Sequence, residues 1–306
     1  MNALPHTIPE YLEQLRRSLA GADPALVQDA LYDAEEYLRS ELAEHPGRSE
    51  GEVIAAVASS YGAPDEVADI YRDTEATVAT ALRAPPPRPR RSLAGRFFGV
   101  VADPRAYASL FYMLLALATG IFYFTWVVAG LSMSAGLAVL IIGVPFVILY
   151  FGSVRVLSLV EGRIVEVMLG ERMPRRPLYA DRSKSLLARI GAMFTDPRTW
   201  TTQLYFLLML PLGTAYFTVA ITLLALGLAF VFAPIAVWTG LDDAWFEGQD
   251  VVLTGFTGMP LQGWELPLML LGGVLLLFAT LHLARGVGRL HGLFAKHLLV
   301  KTAQHA

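Results

Sequence analysis

Residues 196–218 read "DPRTWTTQLYFLLMLPLGTAYFT", and 93 positions earlier residues 103–125 read "DPRAYASLFYMLLALATGIFYFT". The two segments are identical at 11 of 23 positions. The likeness begins ahead of the apolar stretch, since Ser92 already recurs as Ser185. The chain is therefore predicted to contain a duplicated unit. Because both copies begin in the same way, they are predicted to be parallel repeats.

Three long runs of the chain contain no charged side chain. They are residues 106–154, 199–241 and 266–284, which are 49, 43 and 19 residues long. A helix needs about 20 apolar residues to cross a bilayer. The first run therefore predicts two spans joined by a turn near residues 132–136, and the whole chain predicts four or five spans.

The distribution of charge decides between four spans and five. Residues 155–198 hold nine basic side chains, whereas residues 242–265 hold five acidic ones and no Lys or Arg. The tail is basic, with Arg285 and Lys296 among its charges. Four spans place every basic region on the cytoplasmic side, whereas five would place the basic tail outside. The predicted fold class is an all-α membrane protein with four transmembrane helices built from two parallel helical-hairpin repeats, each with interfacial amphipathic helices.

The predicted organisation has four parts. They are a cytoplasmic helical domain (1–83), a Pro/Arg-rich linker (84–95), a first membrane repeat (96–184) and a second membrane repeat (185–306). Spans are predicted near 107–131, 136–156, 200–226 and 266–285, with exit helices at 157–169 and 287–300 and an external loop at 240–265. Residues 227–238 either complete a long third span or lie along the outer leaflet. The topology anchors are Arg105, Arg155, Arg198 and Arg285.

The first 80 residues form an acidic helical module. They hold 16 acidic and 5 basic side chains, whereas the rest of the chain holds 11 and 19. Asp23 is predicted to cap a helix that begins at Pro24. Ser49 and Glu52 have the spacing of a capping box, and Gly62 is predicted to end that helix. Four short helices follow from this pattern.

This front end resembles the HAAS family of small bacterial helical domains associated with signalling. The matching stretches are "YLEQLRRSL", "DALYDAEEYLRSEL" and "EVIAAVASSYGAPDEVADIY", within residues 8–75. The resemblance implies protein interaction in membrane-associated regulation, often near PadR-type repressors, and it implies no catalysis. The candidate docking residues lie in and beside "YGAPDEVA": Tyr61, Gly62, Pro64, Asp65 and Glu66. For the acidic side chains of the second helix, a solvated face is favoured over a docking surface.

The membrane half resembles the actinobacterial "putative sensor" family of four-span domains, over residues 95–301. The matching stretches include "LYFLLMLPLGTAYFTVAITLLALGLAF", "LLGGVLLLFATLHLARGVGRLHGLFAKHLLV" and "VEGRIVEVMLG". The resemblance implies signal reception. The expanded loop of the second repeat is the candidate for meeting an external ligand, through Trp238, Asp242, Asp243, Trp245 and Trp264.

The sequence predicts no catalytic, cofactor or metal site. Cysteine is absent, and there is no Walker loop or kinase motif. His282, His291 and His297 lack the spacing of metal ligands, so they are assigned to packing or to the interface. The central membrane region also lacks the carboxylates of a proton-coupled carrier. The linker arginines are better explained by lipid headgroups than by nucleic acid.

The sequence thus favours a non-enzymatic signalling protein of the bacterial inner (cytoplasmic) membrane, with both termini in the cytoplasm. It would pass an external or bilayer-derived signal to a cytoplasmic or membrane protein partner through the N-terminal domain. The alternative is an accessory or scaffold subunit of a membrane complex such as a transporter. A membrane enzyme or a transporter in its own right is less favoured because no site is visible. The expected contacts are a protein partner and the lipid bilayer, without nucleic acid, and a homo-oligomer is left open.

Overall fold

The computed structural model describes residues 5–82, 92–137, 143–176, 191, 194–240 and 263–300. In this part of the chain there are nine named α-helices, one 3-10 turn and no strand. The helices are α1 (Ile8–Ser18), α2 (Pro24–Glu44), α3 (Glu50–Ser60), α4 (Pro64–Leu82), α5 (Leu93–Phe98), α6 (Pro104–Leu137), α7 (Gly143–Leu169), α8 (Pro197–Thr239) and α9 (Glu265–Leu299), with the 3-10 turn at Gly99–Ala102. The predicted all-α class is confirmed.

Helices α2 and α3 of the N-terminal module begin where the sequence predicted. Asp23 Oδ1 accepts the backbone N–H of Ala25 at 2.9 Å, which caps α2. Ser49 and Glu52 form a complete capping box at the start of α3. Gly62 has φ +117° just after α3, a backbone conformation that favours glycine. Local hydrogen bonding therefore sets these helix ends, which is why they could be read from sequence.

The module has its own hydrophobic core. Tyr11, Leu15, Leu38 and Ile54 are fully buried there. The Tyr11 hydroxyl donates to the carbonyl oxygen of Gly62 at 2.8 Å, which ties α1 to the turn between α3 and α4. Burial raises the pKa of Tyr11 above its ordinary value, so this hydroxyl stays a donor.

Within the described part of the chain, four helices are long and apolar enough to cross a membrane: α6, α7, α8 and α9. The longest, α8, has 43 residues and would extend roughly 65 Å at 1.5 Å per residue. That is about twice the thickness of a bilayer's hydrocarbon core. Residues 227–238 continue this same helix, which answers the question left open by the sequence in favour of a long third helix.

Two local predictions differ from the structure. The turn was expected near residues 132–136, but these residues are helical. Helix α6 continues to Leu137, and α7 begins at Gly143. The stretch 132–136 contains no proline to stop the helix. The exit helices are also not separate elements, since α7 and α9 run without a break through most or all of 157–169 and 287–300.

Contacts divide the chain into two units. The first unit gathers the described residues of 1–85, 124–207 and 291–306, and the second gathers those of 86–123 and 208–290. Within the second unit, α6 and α8 cross with backbone against backbone. A Cβ added at Gly120 would lie 2.4 Å from the carbonyl oxygen of Met209, and one at Gly213 would lie 2.1 Å from that of Ala116.

This crossing has the symmetry of the sequence repeat. Gly213 lies 93 positions after Gly120, and Met209 lies 93 positions after Ala116. Each repeat therefore contributes one glycine to the crossing, and that glycine packs against the equivalent backbone carbonyl of the other repeat. Small residues at four-residue spacing are what allow apolar helices to approach this closely.

A methyl group at the crossing should separate the two helices. We expect Gly120→Ala and Gly213→Ala each to lower the free energy of unfolding by about 1–3 kcal/mol through overpacking. Gly152→Ala in α7 is the matched control, since a Cβ there meets no atom within 4 Å. Thermal unfolding of the full chain in mild detergent, followed by circular dichroism, measures the difference. Equal melting temperatures for the three variants would contradict the close crossing.

The turn after α3 offers a second test. Gly62→Ala should destabilise the module by about 1–3 kcal/mol, because an alanine is strained at φ +117°. Gly47→Ala serves as the control, since that glycine has no positive φ and no atom within 4 Å of its added Cβ. Hydrogen exchange of the α3 and α4 amides should be faster only for the first variant.

Candidate functional site

A short basic segment, residues 170–176, follows α7. Gly170 has φ +77°, and its N–H donates to the carbonyl oxygen of Glu166 at 3.1 Å, which ends the helix. Beyond this glycine the chain folds back onto α7, because Met173 packs against Gly162 and is 1% exposed. The arginines of this segment then point toward the N-terminal module.

Arg172 lies at the centre of an ion network that joins the basic segment to the module. Its guanidinium contacts Asp29 of α2 at 3.1 Å, Glu75 of α4 at 3.1 Å and Glu166 of α7 at 3.4 Å. The Arg172 side chain is only 9% exposed, and those of Asp29 and Glu166 are 7% and 3% exposed. One arginine therefore links three helices away from water. We call this network and its neighbouring contacts the junction.

Asp29 uses both carboxylate oxygens in the junction. Its Oδ2 pairs with Arg172, while its Oδ1 accepts the backbone N–H groups of Arg175 and Arg176 at 2.7 and 2.8 Å. The neighbouring Asp33 pairs with Arg176 at 3.0 Å and also accepts the Tyr71 hydroxyl at 2.8 Å. The acidic residues on this part of α2 therefore face the chain's own basic segment rather than solvent alone.

Two further contacts extend the junction to α8 and α9. The Gln28 amide donates to the carbonyl oxygen of Arg176 at 2.6 Å and accepts from the Arg198 guanidinium at 2.7 Å. Lys296 of α9 forms an ion pair with Asp23 at the start of α2. The module is thus held by residues from both membrane repeats.

The electrostatics of the junction favour a charged Arg172. Burial works to lower the pKa of Arg172, but its hydrogen bond to the Glu75 carboxylate and the charges of Asp29, Glu75 and Glu166 outweigh it, and the net shift is upward. A buried ion pair gives little net stability compared with apolar packing, but the loss of one partner is severe because it leaves a buried charge uncompensated. The junction is therefore specific and sensitive to its individual members.

A second buried polar cluster lies within the membrane helices. The Tyr205 hydroxyl of α8 donates to Glu161 of α7 at 2.8 Å and lies 3.0 Å from Nε2 of His291 in α9. All three side chains are at most 1% exposed. Ionisable groups at such places are unusual in membrane helices and are usually paired, as these are. The cluster fixes three long helices to one another near the junction.

The candidate docking residues mostly stabilise the turn between α3 and α4. Tyr61 stacks on Tyr37 with ring centroids 4.7 Å apart, Pro64 is buried, and the Glu66 carboxylate accepts the N–H of Ala63 at 3.0 Å. The carbonyl oxygen of Gly62 is bonded to Tyr11, as described above. Asp65 is exposed. A docking role for these five residues stays a prediction, and Asp65 is the one whose replacement would probe it with least effect on the turn.

The candidates for the external loop are only partly described. Trp238 is exposed near the end of α8, and Trp264 is exposed just ahead of α9. Asp242, Asp243 and Trp245 lie outside the described residues. Ligand binding by this loop stays a prediction.

Two topology anchors, Arg105 and Arg198, lie at the starts of α6 and α8, whereas Arg155 and Arg285 lie within α7 and α9. Asp103 Oδ1 accepts the N–H of Arg105, and Asp196 Oδ1 accepts that of Arg198, each at 3.0 Å. Arg285 pairs with Asp103 at 3.1 Å, and Arg155 lies 4.0 Å from Asp196. Each repeat's aspartate is therefore approached by an arginine from the other repeat.

Sequence reasoning missed the junction and the buried cluster. It used Arg172, Arg175 and Arg176 only as markers of the cytoplasmic side, and it assigned Glu161 to an interfacial helix. One signal was available: Glu161 and Glu166 lie in a largely apolar helix, and a glycine with three arginines follows it. Tyr205 lies 44 positions from Glu161, and Asp29 lies 143 positions from Arg172, so no local pattern could identify these contacts.

Among the described residues, no group of three His, Asp or Glu side chains is arranged to hold a metal ion. His282 Nε2 lies 2.9 Å from the carbonyl oxygen of Phe97, and the two rings stack. The chemistry of the described sites is therefore hydrogen bonding and ion pairing between helices.

Comparison with known families finds two matches. Residues 112–299 match the family described as "Putative sensor", and residues 10–70 match the family described as HAAS. No curated protein and no solved structure matches the chain.

Removal of the central guanidinium should open the junction. We expect Arg172→Gln to weaken the contact between the module and the basic segment by about 3–5 kcal/mol, because Asp29 remains buried without its arginine partner. Hydrogen exchange of α2 amides and of residues 170–176 in the full chain measures this opening. Glu36→Gln on the exposed side of α2 should leave exchange unchanged. An additional Asp29→Asn substitution should restore part of the loss, since coupled residues are non-additive.

Proposed function

Because the chain belongs to the "Putative sensor" family and carries a HAAS domain ahead of its membrane helices, we propose that it is a non-enzymatic membrane signalling protein whose N-terminal domain reports the state of the spans to a protein partner. The family and the domain give the sensor role in general terms. The observation that carries the finer proposal is the junction, in which Arg172 connects α2, α4 and α7.

The junction provides a physical route between the spans and the module. Glu166 belongs to α7, Arg198 to α8 and Lys296 to α9, and each is bonded directly or through Arg172 to the module. A shift of any of these helices would change those contacts. A signal can move such an equilibrium only if it binds the two states differently.

Release of the module would expose an acidic surface. Asp29, Asp33 and Glu75 are occupied by the chain's own arginines when the junction is closed. A partner that presents arginine or lysine side chains would compete for the same carboxylates. We therefore propose that the partner is a protein with a basic surface and that the basic segment acts as its internal competitor.

The proposed orientation places both termini in the cytoplasm of a bacterium. It is supported by the nine basic side chains of residues 155–198 and the absence of any between 242 and 265. The residues that hold the module, Arg172 and Lys296, belong to the basic regions. The loop at 240–265 would then face outward, where it is the candidate receiver of an external stimulus.

Affinity purification of the full chain from native membranes, with quantitative mass spectrometry, tests this proposal. Arg172→Gln should increase recovery of a cytoplasmic partner several-fold, and Asp33→Asn should decrease it. Arg163→Gln is the matched control, because Arg163 pairs with Glu166 of its own helix.

The alternative outcomes are distinct. Equal recovery of an integral membrane complex by all variants would favour an accessory subunit over a sensor. Equal recovery of a soluble partner by Arg172→Gln and Arg163→Gln would contradict the competition between that partner and the basic segment.

A further inference from the structure

A pocket lies between α7 and the start of α8, beside the contacts of Arg155, Asp196 and Arg198 described above. Its polar lining consists of Arg155, Ser158, Asp196, Arg198, Thr199 and Thr202, and its apolar lining of Phe151, Val154 and Leu159. We propose that this pocket binds the phosphate group of an anionic phospholipid. The position of the pocket at the ends of two uncharged runs, its charge and its difference from the corresponding place in the other repeat all support this ligand.

The two arginines locate the pocket at the membrane surface. Arg155 is the first charge after the uncharged run 106–154, and Arg198 is the last charge before the uncharged run 199–241. Trp200 lies beside them, is 47% exposed and donates its indole N–H to the carbonyl oxygen of Phe194 at 2.9 Å. Tryptophan is enriched at the headgroup level of membranes. A lipid phosphate is therefore the anion that is present at this depth.

The charge of the pocket is not balanced by its own residues. Two guanidinium groups face one carboxylate, and the separation of 4.0 Å between Arg155 and Asp196 exceeds that of a charge-assisted hydrogen bond, about 2.7–2.9 Å. Asp196 Oδ1 is already used to cap α8, through the N–H of Arg198. The guanidinium of Arg198 donates to the neutral amide of Gln28. An anion between the two arginines would complete this arrangement.

The remaining lining suits a phospholipid. The hydroxyls of Thr199 and Thr202 are potential donors to phosphate oxygens, and both residues are almost fully buried. Phe151 and Val154 offer apolar surface for the glycerol backbone and the first acyl carbons. Basic pockets between membrane helices are known to hold lipid headgroups.

In the other repeat, the corresponding arginine and aspartate are in direct contact. There Arg285 and Asp103 are 3.1 Å apart, a direct ion pair. Thr199 is replaced by its repeat counterpart Ala106, which is buried in an apolar cluster with Val100 and Leu281. The duplication therefore kept the arginine and the aspartate in both copies, but the two copies differ in the separation of the pair and in the residue beside it, Thr199 or Ala106.

The test uses the purified full chain in an uncharged detergent. Native mass spectrometry counts retained lipids, and thermal unfolding gives the stabilisation by added phosphatidylglycerol, phosphatidylcholine, inorganic phosphate or glycerol phosphate. We expect phosphatidylglycerol to bind preferentially. Arg155→Gln should weaken this binding about tenfold or more, the factor that corresponds to 1.4 kcal/mol. Arg155 is chosen because replacement of Arg198 would also break its bond with Gln28.

Two further variants keep the result interpretable. Arg285→Gln removes the repeat counterpart of Arg155 and should leave lipid binding unchanged. Thr202→Leu fills the pocket without altering its charge and should also reduce binding, so the proposal does not depend on the folding of one variant.

Three results would overturn the proposal. One is equal binding of phosphatidylcholine, and another is wild-type binding by both Arg155→Gln and Thr202→Leu. The third is saturation by inorganic phosphate or glycerol phosphate at the same concentration, which would identify a soluble anion as the ligand.

Discussion

The arrangement of this protein depends on one buried arginine. Arg172 takes its three carboxylates from two helices of the N-terminal module and one membrane helix, and it is almost completely shielded from water. A charge in such a place is tolerated only while its partners are present. The contact is therefore sensitive to the loss of any one of its members.

The duplication explains how the helices of the membrane half pack against one another. Gly120 and Gly213 let α6 and α8 approach until a backbone carbonyl of each rests against the glycine of the other. Each repeat's aspartate is likewise met by an arginine of the opposite repeat. A single repeat would leave these faces without partners, so the two copies complete each other. Equivalent positions have nevertheless diverged, as Thr199 and Ala106 show. Such a difference between the two repeats allows one of them to have a specific site that the other lacks.

Several features were predictable because their causes are local. The caps at Asp23 and Ser49 and the glycine at position 62 involve hydrogen bonds and backbone angles within a few residues. The four long apolar helices follow from the runs without charge. The turn near 132–136 was misplaced because two apolar helices joined without proline or charge leave no local mark of where one stops. The exit helices were separated from their spans for a related reason, because their charged residues suggested a change of environment. In the structure Glu161 accepts a hydrogen bond from Tyr205, Glu166 pairs with Arg172, and the helix continues.

The sequence by itself determined the all-α class, the duplication, the acidic module and the four membrane helices, since each depends on composition, periodicity or short-range hydrogen bonding. Only the tertiary structure decided what the charges do. Asp29 pairs with Arg172, which lies 143 positions away in the chain. Tyr205 contacts Glu161 and His291, which lie 44 and 86 positions away. The acidic side chains at 29 and 33 therefore engage the chain's own arginines, and Arg155 lines a pocket rather than only marking an interface. The physical reason is that an ion pair or a pocket requires groups to meet in space, and the folding of distant segments, not their local pattern, brings them together.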